Sequence, residues 1–145
     1  MKILSIGCGK SFGGDIIGLD RGDYGQDYVR DMRRGLPFDS DSLDKIIADS
    51  CLEHLPQTEH FQEDDFVFVI NECLRCLKVG GTLEITVPKW SSEMAHKDPT
   101  HYRYFAEKTF GYIEDVQWEY GFNKGLKVKD IKLDGENIIA IMEKI

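Results

Sequence analysis

A chain of 145 residues suits one domain with a continuous core and leaves no room for a separate substrate domain. Hydrophobic residues at 41% and charged residues at 30% exclude wholesale disorder. With 26 acidic against 18 basic side chains the formal charge is −8, which opposes broad phosphate neutralisation, so no nucleic-acid partner is expected.

The opening apolar run, Lys2 to Ile6, is too short for a signal peptide or a membrane span, so the expectations are a cytoplasmic location and no membrane partner. It reads as a buried strand that stops at Gly7-Cys8-Gly9, and Ile16 to Leu19 as a second that stops at Asp20. Only Gly7 to Asp15 lie between them, fewer than the roughly 10–12 residues of a strand-helix-strand crossover, so a helix there is reduced or missing. Tyr28 to Met32 supplies a third strand, Gly35-Leu36-Pro37-Phe38 a loop and Leu43 to Ala48 a fourth strand.

The spacing of Phe66, Ile70, Cys73, Leu74 and Leu77 predicts a helix over Asp64 to Leu77, with acids at its start, Arg75 and Lys78 at its end and Gly80-Gly81 as the left-handed cap. Thr82 to Val87 alternates like a strand and is stopped by Pro88. A polar stretch follows as far as Tyr102, where open α/β sheets place their ligands, and then a short helix around Ala106 to Ile113. Leu126 to Leu133 and Ile138 to Met142 flank the turn dipeptide Asp134-Gly135 and predict a closing antiparallel hairpin. The fold class expected is α/β: a single Rossmann-like domain over 1–145, its sheet mostly parallel and twisted.

Cys8, Cys51, Cys73 and Cys76 lack the paired spacing of a zinc site and read as reduced thiols, with Cys73 and Cys76 inside the helical repeat and therefore in the core. His96 and His101 lack a third ligand, so no metal is expected.

Gly7 and Gly9 after the first strand give a tight turn that lets backbone approach a ligand, and Asp20 at the end of the next strand is an acceptor able to hold both hydroxyls of a ribose. A nicotinamide dinucleotide needs glycines spaced as G-x-G-x-x-G and a helix to receive its pyrophosphate; Gly7, Gly9 and Gly13 do not match, so a ligand lacking phosphate fits better.

From Leu4-Ser5-Ile6-Gly7-Cys8-Gly9 through Gly18-Leu19-Asp20, Asp31 before Leu36-Pro37-Phe38, Leu43 to Ala48, Leu52-Glu53-His54-Leu55 and Leu77-Lys78-Val79-Gly80-Gly81-Thr82-Leu83, the ordered pieces resemble the class I S-adenosylmethionine-dependent methyltransferases, especially the compact type 11 branch. The resemblance implies S-adenosyl-L-methionine as cofactor and methyl transfer to an acceptor whose class the fold does not choose; a small molecule is the expectation. By it Gly7, Cys8 and Gly9 approach the methionine part, Asp20 binds the ribose diol, Asp31 and Met32 meet the adenine, and Asp49 and Ser50 lie near the sulfonium. Glu53 and His54 lie by the reactive end. His54 and His101 are the candidate catalytic residues, His101 from a His96 to Phe105 segment that walls the acceptor site.

Most class I members carry a helix between the first two strands; here Lys10, Ser11 or the backbone amides of Gly13-Gly14 would stand in for its N-terminus. The trimmed form motivates a second reading, a non-catalytic module that senses S-adenosylmethionine or S-adenosylhomocysteine or serves as an adaptor, and an exposed flank makes a homo-oligomer an expectation as well.

Overall fold

The computed structural model describes residues 1–60 and 63–145, with backbone alone for Glu59, His60, Glu63 and residues 116–118. Its main sheet holds β1 (Ile3–Ile6), β2 (Ile16–Asp20), β3 (Tyr28–Val29), β4 (Leu43–Asp49), β5 (Leu77–Pro88), β6 (Leu126–Asp134) and β7 (Asn137–Lys144). Their spatial order is β3-β2-β1-β4-β5-β7-β6. The pairings from β3 to β5 are parallel, whereas β7 runs antiparallel to both β5 and β6. The mostly parallel sheet with a closing hairpin is therefore the one expected, with the later hairpin strand seated next to β5.

Register explains why these segments pair. Leu4, Ile46, Leu83 and Met142 fall in one row across β1, β4, β5 and β7, and Ile6, Ala48, Ile85 and Ala140 in the next. All are fully buried, and each large aliphatic side chain so removed from water contributes about 1.5–3 kcal/mol. The opposite face is less covered and carries Lys45 paired with Glu84 at 2.6 Å.

Helix α1 (Asp65–Cys76) joins β4 to β5 and buries Phe66, Ile70, Cys73 and Leu74 in the common core. Asp64 caps it, Oδ1 accepting from the Phe66 and Val67 amides at 2.9 and 3.3 Å. Cys73 and Cys76 are free and buried, and burial pushes the Cys76 thiol up to about 11, as a core role requires.

Local readings change in three places. The third strand ends at Val29, because Asp31 accepts from the Arg33 amide at 3.0 Å and starts a 3-10 turn over Met32–Arg34. Gly80-Gly81 caps no helix: α1 passes straight into β5 at an extended Leu77, and Gly80 turns within the strand at φ +81°. A Cβ on Gly81 would lie 2.9 Å from the Lys78 carbonyl and 3.0 Å from that of Asp44, so glycine lets β5 return to β4 there. The polar stretch after Pro88 holds a short helix α2 (Glu93–Lys97), capped by Ser92, and α3 extends over Glu107–Val116. Among the described residues no helix is long and apolar enough to cross a membrane.

Candidate functional site

The C-terminal ends of β1, β2 and β4 open on one cleft of about 520 Å³, at the edge where open α/β sheets bind ligands. Gly7, Asp20, Asp31, Met32, Ser50 and His54 line it. Cys8, Gly9 and Asp49 do not line it: Cys8 is buried beneath the turn, and Asp49 is exposed at the end of β4.

The turn after β1 requires glycine at residue 7. Its φ is +60°, and a Cβ there would lie 2.5 Å from the Cβ of Cys51. Cys51 is brought in by a sharp bend after β4, where Ser50 holds φ +54° and its amide donates to the Thr86 carbonyl at 2.8 Å. Gly9, at φ +52°, has nothing within 4 Å of a built Cβ and donates its amide to Asp20 Oδ2 at 2.8 Å. Asp20 Oδ1 accepts from the Gly22 amide at 2.8 Å. The Asp20 carboxylate is thus fixed by backbone on both sides and keeps lone pairs for a diol.

The loop after β2 carries Arg21 and Tyr24 into the cleft. Sequence reasoning missed what shapes it: the buried Gln26 donates Nε2 to the carbonyls of Asp20, Gly22 and Tyr28 at 3.1, 2.8 and 3.0 Å, and accepts from the Tyr24 amide at 2.8 Å. No sequence signal marks such a residue, because its partners are main-chain atoms.

Asp31 is bound by Arg33, with Nη2 donating to Oδ2 at 2.8 Å. Burial alone would raise the Asp31 carboxyl, but the hydrogen bonds from the Arg33 side chain and backbone outweigh it and hold the group below its ordinary range. The expected stand-ins for a missing helix end are partly spent: the Ser11 amide donates to Cys8 and the Gly13 amide to Ile16.

At the other end of the cleft the 98–103 segment docks on the turn after β4, where the Tyr102 amide donates to the Glu53 carbonyl at 2.8 Å. This brings His54 and His101 together, ring centroids 4.6 Å apart and edge to face. His101 is 9% exposed and stands behind His54 rather than lining the cleft. His54 Nδ1 lies 3.1 Å from the Thr100 carbonyl and 3.0 Å from its hydroxyl, whose hydrogen goes to Asp98 Oδ1 at 2.6 Å. Both Thr100 oxygens therefore accept, which assigns the proton of neutral His54 to Nδ1 and a lone pair to Nε2. His101 Nδ1 faces the Ala95 carbonyl at 3.1 Å, so the same argument leaves a lone pair on its Nε2. Burial, followed by His101, lowers the His54 pKa.

Glu53, which the sequence reading set beside His54 without a role, is 2% exposed. Its Oε2 has no hydrogen-bond partner among the described residues, and burial pushes its carboxyl up to about 7.

No family model matches the sequence, and no curated protein matches it. Solved structures do resemble the fold. A SAM-dependent methyltransferase from Aquifex aeolicus matches 100% of this chain and 82% of its own at 16% identity and TM-score 0.70. A possible histamine N-methyltransferase from Thermotoga maritima matches 99% and 82% at 17% identity and TM-score 0.65. The [4+2]-cyclase SpnF matches 98% and 73% at 15% identity and TM-score 0.66. The chain has the fold of the S-adenosylmethionine-dependent methyltransferases, a fold that also carries other chemistry.

Proposed function

We propose that this chain is an S-adenosylmethionine-dependent methyltransferase acting on a small-molecule acceptor. One observation carries the reading: the bare turn at Gly7 and the backbone-fixed carboxylate of Asp20 share a single cleft whose volume suits a nucleoside-sized ligand. The residues present fit the cofactor. Asp20 offers acceptors for two ribose hydroxyls, Met32 an apolar side chain and Asp31 an acceptor for the adenine amine, with Gly7 and Ser50 at the methionine end.

S-adenosylmethionine supplies the activated methyl group. The protein's part is to orient it, keep water out and present the acceptor. His54 projects a lone pair at the acceptor end, and His101 lies directly behind it, so this pair receives a proton from an acceptor that has one to lose. Calorimetry with S-adenosylmethionine and S-adenosylhomocysteine tests the site, with Asp20→Ala expected to abolish or strongly weaken binding; equal affinity in the variant overturns the assignment. Turnover on a panel of small amines, alcohols and thiols, compared with His54→Ala and His101→Ala, tests the chemistry.

The connection between β1 and β2, which contains no helix, favours one second reading: a module that binds the cofactor or its product without turnover. Tight binding of S-adenosylhomocysteine with no methyl transfer to any member of the panel selects it.

A further inference from the structure

We infer that Glu53, His54 and His101 form a binding site for a divalent first-row transition-metal ion at the acceptor end of the cleft. The three offer one ligand atom each, all within 4.8 Å of one another. They face each other without bonding: the nearest Glu53 oxygen is 4.0 Å from His54 Nε2, too long for a hydrogen bond. The second, independent observation is Glu53 Oε2, an acceptor on a side chain only 3% exposed that finds no hydrogen-bond donor among the described residues. A buried carboxylate oxygen left in this state costs free energy that a cation between the three groups would recover.

The surrounding hydrogen bonds are those a metal site needs. Both imidazoles donate from Nδ1 to main-chain oxygens of the 95–100 stretch, His101 to Ala95 at 3.1 Å and His54 to Thr100 at 3.1 Å, which fixes the rings and leaves each Nε2 free to coordinate. Asp98 Oδ2 lies 3.6 Å from His101 Nε2, a carboxylate beside the trio rather than part of it. Ligand atoms about 2.0–2.1 Å from a common ion sit roughly 3–3.5 Å apart, so the trio has to close by about an ångström, within reach of side-chain torsions. Two imidazoles with one carboxylate suit zinc, manganese, iron or cobalt rather than calcium or magnesium.

The metal's role rests on the methyltransferase reading, although the site itself does not. His54 lines the cleft, so an ion on it borders the space left for the acceptor. With metal bound, His54 and His101 are ligands rather than bases, and the ion lowers the pKa of an acceptor hydroxyl that coordinates it.

Cobalt(II) titrated into the full chain after chelator treatment, followed by visible absorption and calorimetry without S-adenosylmethionine, tests the site. One ion per chain is expected, with affinity falling about ten-fold or more in Glu53→Gln and in His54→Ala, and with Asp98→Asn falling less. His96→Ala, whose ring faces the Trp90 carbonyl outside the cluster, is expected to leave binding unchanged. His54 is 40% exposed in its side chain, so its variant serves where Glu53→Gln fails to fold. No stoichiometric binding, equal affinity in both variants, or a thiolate charge-transfer band that points to Cys51 overturns the proposal. Because cofactor binding is measured separately, loss of the metal site leaves the methyltransferase reading standing, and the reverse holds too.

Discussion

Gly9 donates its main-chain amide to Asp20 Oδ2 at 2.8 Å, so the turn after the first strand and the acid after the second are one hydrogen-bonded unit. The two positions are eleven residues apart in sequence. Asp20→Ala is therefore expected to act on stability as well as on ligand binding. Loss of its two amide bonds costs about 1–3 kcal/mol, read by denaturant titration, and affinity for S-adenosylmethionine falls at least about ten-fold by calorimetry.

Gly7→Ala brings a left-handed φ of +60° and a Cβ 2.5 Å from that of Cys51 into conflict. The left-handed conformation alone costs about 1–2 kcal/mol, and the overlap adds to it. The double variant Gly7→Ala, Cys51→Gly removes the opposing Cβ. It is expected to be more stable than the sum of the two single losses predicts, a coupling that a thermodynamic cycle measures.

Gln26→Ala strips four hydrogen bonds from the loop that carries Arg21 and Tyr24. We expect a loss of about 2–3 kcal/mol together with faster amide exchange across residues 21–27, while the sheet interior keeps its protection. Exchange that rises uniformly over the whole chain would contradict a local role.

Glu72 accepts from the Leu36 amide at 2.7 Å and from Arg75 Nε at 2.7 Å, and Arg75 in turn donates to the Phe38 carbonyl at 2.8 Å. Burial would raise its carboxyl, but the Arg75 and Leu36 hydrogen bonds prevail and hold it below the ordinary value of 4.5. A carboxylate depressed in the folded state stabilises above its unfolded pKa and loses that contribution as pH falls through the folded value. The stability gap between the native chain and Glu72→Gln should thus be about 1–2 kcal/mol at pH 7 and close on acidification below 4.5. A gap independent of pH would show that the charge is immaterial.

Much of the fold was legible because it is periodic. Alternation marked β5, three-four spacing marked α1, and Asp134-Gly135 between two strand-like runs announced the hairpin. The paired elements of the cleft, Gly7 and Asp20, were legible for a different reason: each ends an apolar run, and parallel neighbours end on the same side. What escaped depends on partners distant in sequence. Tyr28 to Met32 has the composition of a strand, but Asp31 finds Arg33 two residues on and turns the chain. Gly80 and Gly81 look like a helix stop, yet what demands glycine is a left-handed turn within the strand at Gly80 and the nearby backbone of residues 43, 44 and 78 at Gly81. Glu53 reads as an ordinary acid at the start of a short helical turn, yet it is buried where the 98–103 segment, far along the chain, docks against its backbone.

The position of β7 between β5 and β6 dictates an order of assembly. β6 precedes β7 in the sequence, but among the described residues its only ladder in the sheet is with β7, so it has nowhere to pair until that eight-residue strand is in place. Until then β5 presents an open edge beside an apolar row of Leu83, Ile85 and Val87. An open edge of this kind invites mispairing until the seventh strand closes it.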